Sequence, residues 1–424
     1  MTSSEFGSIL KRGVVEIINE AELIRLLESG TVLNLKQGFD PSAPDIHLGH
    51  VVGLRKLRQF QELGHKVTLI VGDWTARIGD PSGQSITRPM LSQDEIQANA
   101  QTYLEQFFKV VDKDKTEVRW QSEWFDKFAL EEVIRLTSKF TVAQLLARED
   151  FDKRYSSGNP ISLTELLYPL LQAYDSVVIR ADVEFGGIDQ KFNCLLGRDL
   201  QRIMGQPSQQ VFLVPLLIGT DGSQKMSKSL GNYVGIEEPP QEIYGKVMSI
   251  PDTLIMDYFE LATDVPNEEI SEIREQMHSG SVNPMNLKKR LAHEIVLQFH
   301  GKGSADKAEE YFSRLFQKRE MPQEIPEHAF PAGYIGDGLY EVDITTTLLR
   351  EGIVKSNSEL KRLLSQRAIE LDGNKVSSNI IQARHGSILR IGKHNFVKIA
   401  ITPLCHPERS EGSKEIRDSS LRSE

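Results

Sequence analysis

Residues 31–71 read TVLNLKQGFDPSAPDIHLGHVVGLRKLRQFQELGHKVTLIV, and this stretch decides the fold. Thr31–Leu35 has the character of a buried strand. After a loop rich in Pro and Asp, a helix is expected from about His47 to Leu63. Val51, Leu54, Leu57 and Phe60 form its apolar stripe and Gly64 its stop. Val67–Val71 is a second buried strand. Strand, crossover helix and strand make the unit from which open parallel α/β sheets are built, and such sheets bind ligands at the carboxyl ends of their strands.

Outside this unit, strands expected at about Val177–Val183 and Val211–Ile218 extend the same sheet, giving an α/β domain over residues 1–238. Between its halves, residues 91–171 are mostly helical by pattern and read as an insertion. Residues 239–320 carry an all-helical signal, and residues 321–341 read as a Pro- and Gly-dense linker. A small basic α+β module is expected over 342–402, with ten Lys/Arg against five Asp/Glu. Residues 403–424 have no apolar period and are expected to be disordered. The whole chain has a net charge of −10, which argues against non-specific coating of nucleic acid, whereas a local basic module suits one specific polyanion.

Two cysteines, Cys194 and Cys405, cannot build a disulfide framework or a four-ligand zinc site, so a reducing compartment is expected. No apolar run reaches membrane-span length, and the start MTSSEFGSILKRG has no secretory core; a cytoplasmic protein is expected.

Two motifs carry the chemistry. His47-Leu48-Gly49-His50 opens the crossover helix, where unpaired N–H groups and the helix dipole favour anions, and Pro44 and Asp45 fit the turn and N-cap just upstream. Alone, an H-x-x-H is more often a surface helix start with incidental histidines. Lys225-Met226-Ser227-Lys228-Ser229 follows a buried strand and a T-D-G-S-Q turn. Paired ammonium groups with hydroxyls between them suit a polyphosphate and the charge that builds on leaving pyrophosphate. Neither a G-x-x-x-x-G-K-[ST] loop nor a G-x-G-x-x-G after the first strand is present, which weighs against P-loop and dinucleotide enzymes.

HLGH and KMSKS together resemble the class I aminoacyl-tRNA synthetases. YPLLQAYDS, IGDPSG, GGIDQKFN and GFDPSAPDIHLGH are further similar to the tyrosyl-tRNA synthetases, over nearly the whole chain and with the K-x-G-x-D-P pattern of a longer bacterial branch. The resemblance implies a Rossmann-like catalytic domain, an anticodon-binding helical domain and a small RNA-binding domain. It implies that tyrosine is activated with ATP, accompanied by Mg²⁺, and passed to the 3′-terminal ribose of tRNA(Tyr), in a homodimer joined through the inserted helices. By the same resemblance, Asp80, Tyr168 and Gln172 hold the substrate amine, Asp175 accepts its phenol, and Gln190 lies near its carboxylate. Gly187 and Asp189 lie near the ribose, and Asp40, Ser42, His47, Gly49 and His50 near the α-phosphate. Lys225, Met226, Lys228 and Ser229 serve the phosphates, and no metal is held by the protein itself.

The residue types agree with these roles. Ser162-Leu163-Thr164-Glu165 is a capping-box start, and Tyr168, Gln172 and Asp175 then share one face of a helix that Pro169 should kink. A cationic amine wants carboxylate and amide oxygens, and a buried carboxylate that needs a phenol rejects phenylalanine. Lys36 stands where many members have a tyrosine; it either reaches the phenol or points elsewhere. Gln84 replaces a basic residue after DPSG, with Arg88 as a substitute for pyrophosphate or the tRNA end. Ser356 or Ser358 caps a helix in the basic module whose Lys361 and Arg362, with Arg367, suit a phosphate backbone. The rivals are a tryptophan-specific relative, an RNA-binding paralogue without catalysis and a small nucleotidyltransferase.

Overall fold

The computed structural model describes residues 3–42, 45–82, 91–314, 325–392 and 395–403. They fall into two compact units that divide between Ser313 and Arg314.

The first unit is built on strands β1 (Glu16–Ile18), β2 (Asn34–Phe39), β3 (Lys66–Val71), β4 (Thr116–Trp120), β5 (Val183–Gly187) and β6 (Gln210–Val214). Their order is β1-β6-β5-β2-β3-β4, parallel throughout except for the short β1 at one edge. Helices α1 (Leu48–Glu62), α2 (Gln93–Phe107), α3 (Leu163–Ile179) and α4 (Lys191–Ile203) cover it. The apolar stripe of α1 is where the sequence puts it: Val51, Leu54, Leu57 and Phe60 are all 0% exposed. Each such side chain contributes roughly 1.5–3 kcal/mol by leaving water.

Several boundaries differ from expectation, each for a physical reason. The first strand runs on to Phe39, because its carboxyl end must reach the ligand edge of the sheet; the expected Thr31–Leu35 covers only its start. Val177 is helical: the run Val177–Ile179 forms the last turn of α3, Arg180 caps it in the left-handed region at φ 49°, and the strand begins at Val183. A short apolar run cannot choose between helix and strand by periodicity alone. Strand β6 stops at Val214, before Pro215, whose missing N–H cannot continue a ladder; Ile218 makes only an isolated bridge to Lys225. The expected helical insertion contains β4, which pairs with β3, so part of it belongs to the main sheet.

The helices that follow include α5 (Pro240–Ser249), α6 (Ile255–Ala262), α7 (Pro284–His300) and α8 (Lys302–Phe312). They do not form a core of their own. Tyr244, Tyr258, Leu291 and Ile295 lie in one apolar cluster with Leu35, Leu54, Phe60 and Phe212, so no compact-unit boundary falls at residue 238.

The second unit has seven strands: β7 (Glu327–Gly336), β8 (Leu339–Asp343), β9 (Ile369–Leu371), β10 (Asn374–Val376), β11 (Ile380–Ala383), β12 (Ile388–Ile391) and β13 (Asn395–Pro403). Their order is β10-β9-β12-β13-β7-β8-β11, with only β13–β7 parallel. Helices α9 (Ile344–Arg350) and α10 (Asn357–Ser365) complete a separate core around Phe330, Leu348, Leu360, Leu389 and Ile399. Most of the expected linker is therefore strand. Asp337 and Gly338, both at positive φ, make the tight two-residue turn that joins β7 to β8. Of the expected linker, 321–324 lie outside the described residues, as do 404–424 of the expected tail and Cys405.

Candidate active site

Two polar cavities, of about 300 and 340 Å³, open at the carboxyl ends of the strands and share Gln37, His50, Asp80 and Gln190 as a common wall. The first is lined by Asp40, Ser42, Tyr168, Gln172 and Asp175, the second by His47, Gly49, Asp189, Lys225 and Met226, with Gly187 on both. A wider hollow of about 840 Å³ adjoins Ser82 and Asp189. Its guanidinium groups are already engaged, Arg148 by Asp150 and Arg154 by Glu165.

In the first cavity, Asp175 is buried in the wall and accepts from Gln121 Nε2 at 2.8 Å and Trp124 Nε1 at 3.2 Å. Burial pushes its carboxyl up to about 7, against the pull of Lys36 and the two donors. Tyr168 donates its hydroxyl to Asp40 Oδ2 at 2.9 Å, and Thr75 donates to Asp40 Oδ1 at 2.6 Å. Burial and Asp40 together drive the Tyr168 phenol well above its usual range, so it stays a donor. Gln190 Nε2 donates to Asp80 Oδ2 at 2.6 Å, while Asp80 Oδ1 accepts the Ser82 N–H at 2.8 Å.

Lys36 does not line this cavity. It is fully buried behind it, paired with Glu184 at 2.8 Å, which corrects its assignment to the substrate. A lysine whose three donors are all used has none left for a phenol.

In the second cavity His47, not Asp45, is the N-cap of α1; Pro44, like Gln84 and Arg88, lies outside the described residues. His47 Nδ1 accepts the Gly49 N–H at 3.2 Å, and His50 Nδ1 accepts the His47 N–H at 3.3 Å. With both Nδ1 atoms accepting, each neutral ring carries its proton on Nε2. His50 Nε2 reaches the Tyr103 hydroxyl at 2.8 Å, which leaves His47 Nε2–H as a donor at the cavity. Burial first, then the neighbouring His50 and Lys228, lower His47 to about 2; burial and Lys228 lower His50 to about 4. Both are neutral donors near neutral pH. Their close approach, with ring centroids 3.9 Å apart and planes tilted by 40°, needs Gly49, since a Cβ there would lie 2.9 Å from His47 Cε1.

The loop lysines rest on carboxylates: Lys225 on Asp189 at 3.0 Å and Lys228 on Asp45 at 3.5 Å. Met226 is buried and anchors the loop by its N–H on the Leu217 carbonyl. Ser229 is exposed, bonded to Ser227 at 2.9 Å, and lines neither cavity. Asn232 braces the loop from within, accepting the Ser227 N–H at 2.8 Å and donating to the Lys225 carbonyl at 3.1 Å.

Gln121, Trp124, Tyr103, Glu184 and Asn232 escape the sequence reading. The missing signal for the first two is β4: read as a strand, TEVRW places Gln121 at the ligand edge of the sheet. In the second unit, Ser356 caps α10; Lys361 and Arg362 are exposed on it, and Arg367 is exposed just past its end at φ 49°.

The family described as tRNA synthetases class I (W and Y) matches residues 28–317. A tyrosine–tRNA ligase of Dehalococcoides mccartyi strain CBDB1 is 57% identical over 94% of this chain and 99% of its own. That of Carboxydothermus hydrogenoformans is 50% identical over 92% and 96%, and that of Thermotoga maritima 48% over 94% and 98%. Among solved structures, a C-terminally truncated Aspergillus nidulans mitochondrial tyrosyl-tRNA synthetase aligns with TM-score 0.61 at 23% identity, over 72% of this chain and 92% of that one. The Archaeoglobus fulgidus tyrosyl-tRNA synthetase complexed with L-tyrosine aligns with TM-score 0.59 at 23% identity, over 72% and 99%. These two likenesses show the fold.

Proposed function

We propose, for a chain that belongs to the class I tRNA synthetases (W and Y), the following course for the tyrosine–tRNA ligase reaction. The tyrosine carboxylate attacks the α-phosphate of ATP; the new C–O–P bond forms as the bond to the β-phosphate breaks and pyrophosphate leaves. The tRNA terminal ribose hydroxyl then attacks the acyl carbon and releases AMP. No side chain need form a covalent bond, so catalysis is positioning and charge stabilisation.

The cavity of Asp175 takes tyrosine, phenol inward, its ammonium on Asp80, Tyr168 and Gln172 and its carboxylate toward Gln190. The adjoining cavity takes ATP, with Gly187 and Asp189 at the ribose and Asp40, Ser42, Gly49, His47 and His50 at the α-phosphate. Lys225, Lys228 and Ser229 meet the pyrophosphate when the loop closes, Met226 remaining its anchor. ATP arrives as its Mg²⁺ complex. The observation that carries this reading is the shared wall of the two cavities, which lets a carboxylate in one meet a phosphate in the other.

The helices of 239–312 and the exposed Lys361, Arg362 and Arg367 grip tRNA(Tyr). Two copies pair through the inserted helices, whose Leu130, Ile134 and Val142 are 73%, 58% and 62% exposed. No helix among the described residues is long and apolar enough to cross a membrane. The reaction belongs in the cytoplasm on a separate ground, that tRNA and ATP are there.

The deciding experiment is amino-acid-dependent exchange of labelled pyrophosphate into ATP, with tyrosine, phenylalanine and tryptophan compared without tRNA. Tyrosine alone should support exchange. Exchange with tryptophan would overturn the assignment of Asp175, and none at all would favour the RNA-binding paralogue.

A further inference from the structure

Lys36 from β2 and Glu184 from β5 meet behind the first cavity with side chains 0% and 1% exposed. The lysine donates to Glu184 Oε1, to Ser176 Oγ and to the Gln172 main-chain carbonyl, each at 2.8 Å. Glu184 also accepts from Gln172 Nε2 at 3.1 Å, from Ser176 Oγ at 3.3 Å and from Gln209 Nε2. An ion pair this deep is a weak source of stability, because desolvation offsets its attraction and apolar packing serves as well.

Two residues of the cavity depend on it. A carboxylate can only accept, so Gln172 must turn its NH₂ to Glu184 and keep its oxygen as the acceptor left for a ligand. That orientation suits an ammonium group, and the flipped amide would repel one. Asp175, on the same face of α3, feels both charges: Lys36 favours its carboxylate and Glu184 opposes it. Its two hydrogen-bond donors are uncharged: Gln121, just past the end of β4, and Trp124 in the short helix Ser122–Phe125 that follows. Asp40 and Asp80 border the same cavity.

We propose that Lys36 and Glu184 are a positioning pair for tyrosine recognition, which fixes the direction of the Gln172 amide and balances the charge around Asp175 without touching substrate. This rests on the cavity being the tyrosine site.

The test is tyrosine-dependent pyrophosphate exchange by the full-length chain, measured against pH at saturating ATP for the unaltered protein, Lys36→Met and Glu184→Gln. The acid limb of kcat/KM for tyrosine should move up by about one pH unit in Lys36→Met and down by about as much in Glu184→Gln. KM for tyrosine should rise roughly tenfold in both, with KM for ATP unchanged within about twofold. A purely structural pair would lower Tm in both variants and leave the limb in place, and that result overturns the proposal. Should Lys36→Met fail to fold, Glu184→Gln keeps the side-chain shape and decides alone: a limb unmoved or raised overturns it. Absence of tyrosine exchange by the unaltered chain overturns the cavity assignment and this proposal together; normal exchange with coincident limbs overturns this proposal only.

Discussion

Asp175 has its carboxyl raised to about 7 by burial, so its charged form grows as pH rises through neutrality. If the carboxylate is what accepts the phenol, kcat/KM for tyrosine rises with pH and levels off above that value. His47 and His50, lowered to about 2 and about 4, add no limb in that window. Asp175→Asn should remove the limb and cost roughly 10- to 100-fold in kcat/KM for tyrosine, the effect of one mispaired buried group; a limb surviving in the variant would move the titration elsewhere. Gly49→Ala drives a methyl into the His47 ring and should slow adenylate formation about 100-fold with the fold intact, checked by single-turnover kinetics and circular dichroism. At this scale the sequence makes Tyr168, Gln172 and Asp175 legible, because they share one helix face. Their partners are not: Gln121 and Trp124 arrive from the turn and short helix after β4, some fifty positions away, and Lys36 turns inward for a glutamate no local pattern reveals.

Elements carry a different lesson. Ser162 caps α3 and Glu165 completes the box, so Ser162→Ala should lower stability by about 1 kcal/mol, read as the shift in denaturation midpoint, without altering tyrosine specificity. The lysine loop is held in shape by Asn232 as well as by its own Met226. Asn232→Ala should raise KM for ATP several-fold while the Kd for tyrosine stays within about twofold, and Lys228→Ala should slow adenylate formation far more than it weakens tyrosine; equal effects on both substrates would refute the division of labour. The crossover helix α1 is readable to within a residue or two because its stripe of four apolar residues runs through most of its length. The strands are less so: three or four apolar residues fit the end of a helix as well as a strand, and only pairing partners decide.

For the whole molecule, the separate cores of the two units argue that each folds by itself. A chain ending near residue 314 should keep tyrosine-dependent pyrophosphate exchange within about threefold and lose about 100-fold or more in tRNA charging, as expected when phosphate contacts are removed; charging that survives truncation would deny the second unit its part in tRNA binding. The sequence sees this unit too short, since a β7 rich in Pro and Gly looks like a linker until β8 and β13 flank it. That pairing also sets a timetable for synthesis. The central strand of the second sheet is β13, the last to leave the ribosome, and it lies parallel to β7, the first. The sheet must therefore wait, incomplete and with two open edges, until β13 has been made, whereas the first unit has every residue it needs about ninety codons earlier. Prematurely terminated chains would then be able to activate an amino acid while holding a half-made, aggregation-prone sheet, so the cost of a late frameshift falls on solubility before it falls on chemistry.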